Sequence, residues 1–292
     1  MAEDYAIAFF DILGFEAKFA SIGLDAMEER YRSLIRVVNE SNRRMEHLFG
    51  PLNFHESIYW TADGDVVPAV KVFGAYASDS ILIWSNASWP DARGKTNHER
   101  DQLAADPALG WAYQTVPCDT FLGVCNEIIC AGLEIGLPLR GSLAMGKAIL
   151  DRVEQIYIGH PLVEAARLEK GQKFIGVSCC PSFMHQIVPN RFLLPFNLHL
   201  KDGYSDKVGG AVLDWPRHWS KTRTSDIRDV VLSLKTGSGK AAEYYDLTLA
   251  MIDASEAQRH KFESSADVSI RSVYPAYSSP NLQASARAVR KA

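Results

Sequence analysis

Residues 6–15, Ala6-Ile7-Ala8-Phe9-Phe10-Asp11-Ile12-Leu13-Gly14-Phe15, form an apolar run that ends on one carboxylate and then turns at a glycine. A short run without polar alternation reads as a strand covered on both faces in the middle of a sheet. Such a strand has no packing use for Asp11, because an unpaired buried carboxylate costs several kcal/mol. Something positive is therefore expected over it. Gly14 permits close backbone approach. The helical spacing that begins near Phe15 offers unpaired backbone N–H groups of the kind that hold phosphate oxygens.

A second stretch belongs with the first: Val70-Lys71-Val72-Phe73-Gly74-Ala75-Tyr76-Ala77-Ser78-Asp79-Ser80-Ile81-Leu82-Ile83-Trp84. It is another apolar run, interrupted by one acid among small residues, which suits a hairpin with Asp79 in its turn. If the two strands are neighbours, Asp11 and Asp79 face a gap that a divalent cation fills, with substrate phosphates and waters completing the oxygen shell. Each acid also has an ordinary reading, Asp11 as a helix cap and Asp79 as a turn acid.

Further along come Leu139-Arg140-Gly141-Ser142-Leu143-Ala144-Met145-Gly146-Lys147-Ala148-Ile149 and Tyr157-Ile158-Gly159-His160-Pro161-Leu162-Val163-Glu164-Ala165-Ala166-Arg167-Leu168-Glu169. In this order the stretches resemble the class III nucleotidyl cyclase domain. That family has a strand ending Asp-Ile-x-Gly-Phe, a hairpin with a second Asp, an Arg-x-Gly-type strand and a Gly-x-x-Val-Asn-x-Ala-x-Arg helix. The resemblance covers residues 5–180. Its form is closest to the pyrimidine cyclases of the bacterial Pycsar antiphage system, which share the Asp-Ile-Leu-Gly-Phe opening, a Ser-Asp-Ser hairpin and an Arg-Gly strand.

The resemblance implies an α/β (α+β) fold, a ferredoxin-type mixed sheet with helices on one face. It implies two Mg²⁺ or Mn²⁺ ions held by Asp11 and Asp79 with the carbonyl of Ile12. The turn Leu13, Gly14 and Phe15 would offer N–H groups to the β- and γ-phosphates. Arg167 matches the family's transition-state arginine, supplied from the opposite protomer, so a homodimer is implied. The activity implied is conversion of UTP to 3′,5′-cyclic UMP and pyrophosphate, with CTP to cCMP as the alternative. The product would be a messenger in antiphage defence, read by a separate effector protein.

Several residues keep two readings. Arg140 either touches phosphate or ties the strand end to a carboxylate. Arg167 is either catalytic or a surface partner of Glu164 one turn earlier. The family's helix asparagine is Val163 here. The positions at which purine-using relatives carry a base-reading Lys and Asp are Ala75 and Ile156. Tyr76 either narrows the pocket toward a pyrimidine or is a core aromatic, and Gln155 and Glu154 are candidate readers of the base edge. A cyclase-fold nucleotide-binding module without catalysis is the rival from another class. The Gly-Gly-Asp/Glu-Glu-Phe hairpin of diguanylate-type relatives is absent.

The totals bound these readings. At 292 residues and 47% hydrophobic, the chain can bury a sizeable core. A net charge of −4 indicates no general affinity for nucleic acid or acidic membrane. No apolar run approaches the ~20 residues of a membrane span, and no export pattern opens the sequence, so a cytoplasmic protein is expected. Five cysteines, Cys118, Cys125, Cys130, Cys179 and Cys180, lack metal-type spacing and read as buried thiols.

The expected organisation is a catalytic domain over residues 1–180 with a polar insertion at about 86–109, an extension of the same domain over 181–263 and a mobile tail over 264–292. Helical spacing runs over 15–49 with a break at Gly23, over 116–135, over 160–170 and over 225–262. Strands are expected at 56–62, 138–150, 155–158 and 174–178, and 192–200 and 211–215 look ordered. Asp63-Gly64-Asp65 is a turn signal. Lys235 to Ala241 imitates a phosphate loop but has Leu234 and Ala241 where that pattern needs Gly and Ser or Thr, and is set aside.

Overall fold

In the computed structural model the opening apolar run is a central strand. β1 (Glu3–Ile12) pairs antiparallel with β5 (Ser80–Asn86) on one side and with β6 (Leu139–Asp151) on the other. The structure describes residues 2–49, 57–60, 66–69, 71–87, 107–185, 192–196, 200–204, 210–235 and 240–265. The insertion around 88–106, the Asp63-Gly64-Asp65 turn and the tail from 266 onward lie outside the described residues.

β4 (Val72–Ala77) forms a hairpin with β5 and is one edge of the sheet. Beyond β6 follow β8 (Gly176–Cys179), β10 (Ala211–Leu213) and β9 (Leu193–Pro195), giving the order β4-β5-β1-β6-β8-β10-β9. β7 (Ile156–Gly159) pairs with the far half of β6. The β6–β8 ladder is parallel and the rest are antiparallel, so the sheet is mixed. β2 (Ser57–Trp60) and β3 (Val66–Ala69) pair separately. β6 can lie close against β1 because Gly141 carries no side chain; a Cβ there would sit 2.6 Å from the Phe9 carbonyl oxygen.

Alternation along β1 divides the core. Ala6, Ala8, Phe10 and Ile12 face α1 (Phe15–Phe49) and α2 (Pro107–Glu134), packing with Met27, Leu34 and Val38 of the first and Phe121, Leu122, Ile128 and Ile129 of the second. Those four α2 side chains are fully buried, each contributing roughly 1.5–3 kcal/mol relative to exposure. Gly23, at φ 79° and ψ 176°, kinks α1 where the sequence places a break.

The other face of β1 presents Tyr5, Ile7 and Phe9. It is covered in part by α3 (His160–Gly171), whose Ala165 and Leu168 pack on Ala144 and Phe9. Among the described residues α1 and α2 lie on one face as expected, while α3 packs on the opposite one, and that second face is where Asp11 points.

The rest of the chain completes the same sheet and core. After the short α4 (Pro181–Met184), β9 and β10 extend the sheet, and α5 (Trp215–Thr222) sets Trp215 and Trp219 into the main core. Two expected boundaries move. The helix expected from residue 116 begins at Pro107, within the stretch read as insertion. The helix expected over 225–262 is two, α6 (Ile227–Leu234) and α7 (Lys240–Ser265). Lys235, just past the end of α6, is already extended at φ −70° and ψ 100°.

Candidate active site

Asp11 sits one residue from the end of β1, opposite Ser80 of β5 on one side and Arg140 of β6 on the other. Residues paired across adjacent strands share a face and lie about 4.5–5.5 Å apart at Cα. Asp79 occupies the two-residue turn between β4 and β5, in which Ser78 takes a left-handed φ of 55°. The Ile12 N–H donates to the Asp79 carbonyl at 2.9 Å, which fastens the turn to the end of β1. The two acids, far apart in sequence, are thus neighbours.

Their electrostatics agree with that placement. Burial pushes the Asp11 carboxyl above its usual value, Arg140 opposes this and the Asp79 charge adds to it. Tyr31, whose hydroxyl donates to the Ser80 carbonyl at 3.2 Å, is pushed up to about 12 by burial and by the same Asp79 charge. The Asp79 charge is thus felt at both Asp11 and Tyr31.

The cation expected over Asp11 is Arg140. Its Nε and Nη2 reach Asp11 Oδ2 at 3.1 and 3.0 Å, its Nε also pairs with Glu169 Oε1 of α3, and its Nη1 donates to the Tyr244 hydroxyl of α7 at 3.4 Å. Of the two readings of Arg140, the one in which it ties the strand end to carboxylates describes this geometry. Glu169 is buried, and burial pushes its carboxyl up to about 7, Arg140 opposing and Asp11 reinforcing. Lys201 donates to the Lys170 carbonyl at 2.6 Å, and its charge reaches Asp11. Sequence reasoning missed Glu169, Lys201 and Tyr244. Only the expectation that something buried beside Asp11 must balance its charge pointed toward such a group.

The turn after β1 is open in part. The Leu13 N–H is not available to a phosphate, because it donates to the Pro138 carbonyl at 2.9 Å. This corrects the expectation for Leu13. Gly14 adopts φ 68°, with open space where a Cβ would stand, and its carbonyl accepts from the Lys18 N–H. No described partner takes the N–H groups of Gly14 and Phe15. Ile12 buries its side chain in the main core, leaving only its backbone at the site.

Other expected residues are not brought here. Tyr76 lies on the α1 side of β4, edge-on to Tyr31 with ring centroids 6.2 Å apart, whereas Ala75 faces the Asp11 side. It is a core aromatic and not the wall of a pocket, because strand alternation turns its ring away from Asp11. Glu154 and Gln155 stand in the exposed turn between β6 and β7, at the opposite end of β6 from Arg140.

Arg167 is on the exposed side of α3. The buried Ala165 and Leu168 face the sheet, and Arg167 shares the outer side with Val163, which is 47% exposed. No ion pair ties it to Glu164, which accepts from the Ser182 N–H at 3.4 Å, or to any other described carboxylate. It is a cation presented outward from its own chain.

Among the described residues no group of three or more His, Cys, Asp or Glu side chains converges as a metal cage. The donor set at Asp11 and Asp79 is two carboxylates, hard oxygen donors that fit Mg²⁺ or Mn²⁺, with waters, and phosphates when substrate is bound, supplying the rest. No described helix is long and apolar enough to cross a membrane.

Neither a protein-family model nor a curated protein matches the chain. Among solved structures it is similar to the catalytic core of a rhodopsin-guanylyl cyclase with converted specificity in complex with ATPαS, at TM-score 0.43 and 14% identity over 72% of this chain and 96% of that one. It is also similar to the guanylate cyclase domain of RhGC from Catenaria anguillulae in complex with GTP, at TM-score 0.39 and 14% identity over 72% and 93% of the two chains. A class III adenylyl cyclase-like ATP-binding protein from Pseudomonas aeruginosa follows at TM-score 0.34 and 12% identity, over 90% of this chain and 44% of that one. These likenesses are too slight to bear on chemistry, and no family membership is drawn from them.

Proposed function

We propose that this protein is a class III-type nucleotidyl cyclase that closes a pyrimidine nucleoside triphosphate, UTP before CTP, to its 3′,5′-cyclic monophosphate and pyrophosphate. The observation that carries the reading is the meeting of Asp11 and Asp79 beside an open helix start. Two acids brought together from a strand end and a hairpin turn, near backbone N–H groups, suit a metal-bound triphosphate.

In the reaction the ribose 3′ oxygen attacks the α-phosphorus and pyrophosphate leaves in line. When bound, the two divalent ions supply acidification of the hydroxyl and charge for the triphosphate. Asp11 and Asp79 would hold them, with the Ile12 carbonyl. Gly14 and Phe15 turn their N–H groups to the β- and γ-phosphates. Arg140 ties Asp11 to Glu169 of α3.

Arg167 answers the charge that builds on the phosphoryl oxygens, a role suited to a planar and permanent cation. Exposed on α3 and without a carboxylate partner among the described residues, it serves the site of a second copy, so the working unit is a homodimer with two sites. Val163, in place of asparagine, removes one contact from that helix.

The pyrimidine preference is supported by the absence of a polar reader at Ala75, on the Asp11 side of the sheet, since a purine edge left unpaired there is penalised. We assign the product a messenger role in antiphage defence, read by a separate effector protein in the cytoplasm. Incubation of the purified chain with each of the four nucleoside triphosphates and Mn²⁺, with cyclic product and pyrophosphate measured together, tests this. UTP turnover is expected; turnover of ATP or GTP alone overturns the pyrimidine reading, and tight nucleotide binding without pyrophosphate release favours a non-catalytic module.

A further inference from the structure

Arg140 is one cation shared by two acids. Asp11 Oδ2 accepts from its Nε and Nη2 at 3.1 and 3.0 Å, and Glu169 Oε1 pairs with the same Nε. The Glu169 side chain is 3% exposed and that of Arg140 is 17% exposed, so water screens neither well. Glu169 belongs to α3, the helix that also presents Arg167, while Asp11 and Arg140 belong to the two central strands.

We infer that Glu169 is a positioning residue for the divalent cation: it draws the Arg140 guanidinium partly off Asp11 and so leaves Asp11 free to ligate. The inference rests on the reading of Asp11 and Asp79 as the metal pair. Without Glu169 the whole charge of Arg140 falls on Asp11, and a cation entering beside Asp11 must compete with it. With Glu169 beside it, part of the Arg140 charge is answered on α3, and the carboxylates of Asp11 and Asp79 keep more of their attraction for a metal. The reason for a glutamate at this point of α3 is thus competition for one guanidinium and not packing, since the helix already seats itself through Ala165 and Leu168.

Mn²⁺ binding to the full chain without nucleotide, read by the electron paramagnetic resonance signal of free Mn²⁺, tests this beside thermal melts. Glu169→Gln is expected to weaken Mn²⁺ binding about tenfold or more, the range for loss of a residue that orients a ligand. Arg140→Met in the Glu169→Gln background removes the competitor and is expected to restore binding to near the wild-type level. A purely structural role lowers the melting temperature of both variants and predicts no such recovery. Glu169→Gln binding like wild type, or a double variant that stays weak, overturns the inference. Should Glu169→Gln not fold, Glu169→Asp, one methylene short of Arg140, is read the same way with the same expected direction. Asp11→Asn separates the two claims: wild type that binds no Mn²⁺, or Asp11→Asn that binds as well as wild type, overturns the metal pair itself.

Discussion

Tyr76 carries a hydroxyl that is buried and meets no acceptor among the described residues. Burial pushes it well above the usual tyrosine value, with Tyr31 adding to the shift. Leaving a buried polar group unpaired costs about 1–3 kcal/mol, so its removal is cheap. Tyr76→Phe is expected to leave stability unchanged or raise it by up to about 1 kcal/mol in a urea titration, and to leave the choice among nucleotides as it was. A shift in that choice would return Tyr76 to the site.

Asp11 is the opposite case. Its carboxyl is raised in the folded chain, so stability is greatest while it is protonated and falls as pH rises through its folded value. At pH 7 without metal, Asp11→Asn is therefore expected to melt no lower than wild type while cyclic product falls at least about a hundredfold, beyond what loss of a hydrogen bond alone would take away. Lower stability together with lost activity would make Asp11 a structural residue.

At the scale of elements, the extension is fastened by charge as well as by core. Glu127 of α2 accepts from His218 Nε2 at 2.8 Å and from both terminal nitrogens of Arg223 at 2.6 Å, and Arg223 also reaches Glu134 at 3.0 Å. Burial alone would raise Glu127, but the hydrogen bonds from His218 and Arg223 outweigh it and hold the carboxyl down to about 2. A depressed carboxyl gives stability that is complete above its unfolded value, near 4.5, and is lost as pH falls through the folded one. Melting temperature followed from pH 5 to pH 2 is expected to drop less steeply in Glu127→Gln than in wild type. Equal slopes would mean that the clamp holds nothing together. The effect is held to surface-pair size, because the side chain is 36% exposed and screened.

For the whole molecule, the outward Arg167 and the inward acids give a prediction about pairs of chains. Asp11→Asn and Arg167→Ala are each expected to be inactive. Mixed in equal amounts and allowed to exchange, they are expected to recover about a quarter of wild-type turnover, since half the dimers are mixed and each carries one intact site. No recovery on mixing, with exchange verified, would place Arg167 in the same chain's site or outside it.

The strand carrying Asp11, the hairpin carrying Asp79, the kink at Gly23 and the helix carrying Arg167 were legible because each is written locally. An apolar run, a turn signal, a glycine and a helical stripe are decided by residues near one another in sequence. That Asp11 needed a positive partner was legible too, from the cost of burying its charge. The choice of Arg140, Glu169 and Tyr244 as its surroundings was not, since β6, α3 and α7 meet only when the sheet is assembled. The same holds for Tyr76, whose side of the sheet depends on which residues β4 pairs with, and for the Leu13 N–H, which Pro138 takes from a distant turn. Short-range sterics and hydrophobic spacing set the elements of this chain, while register and long-range charge balance, properties of strands already paired, decided which side chains share the site.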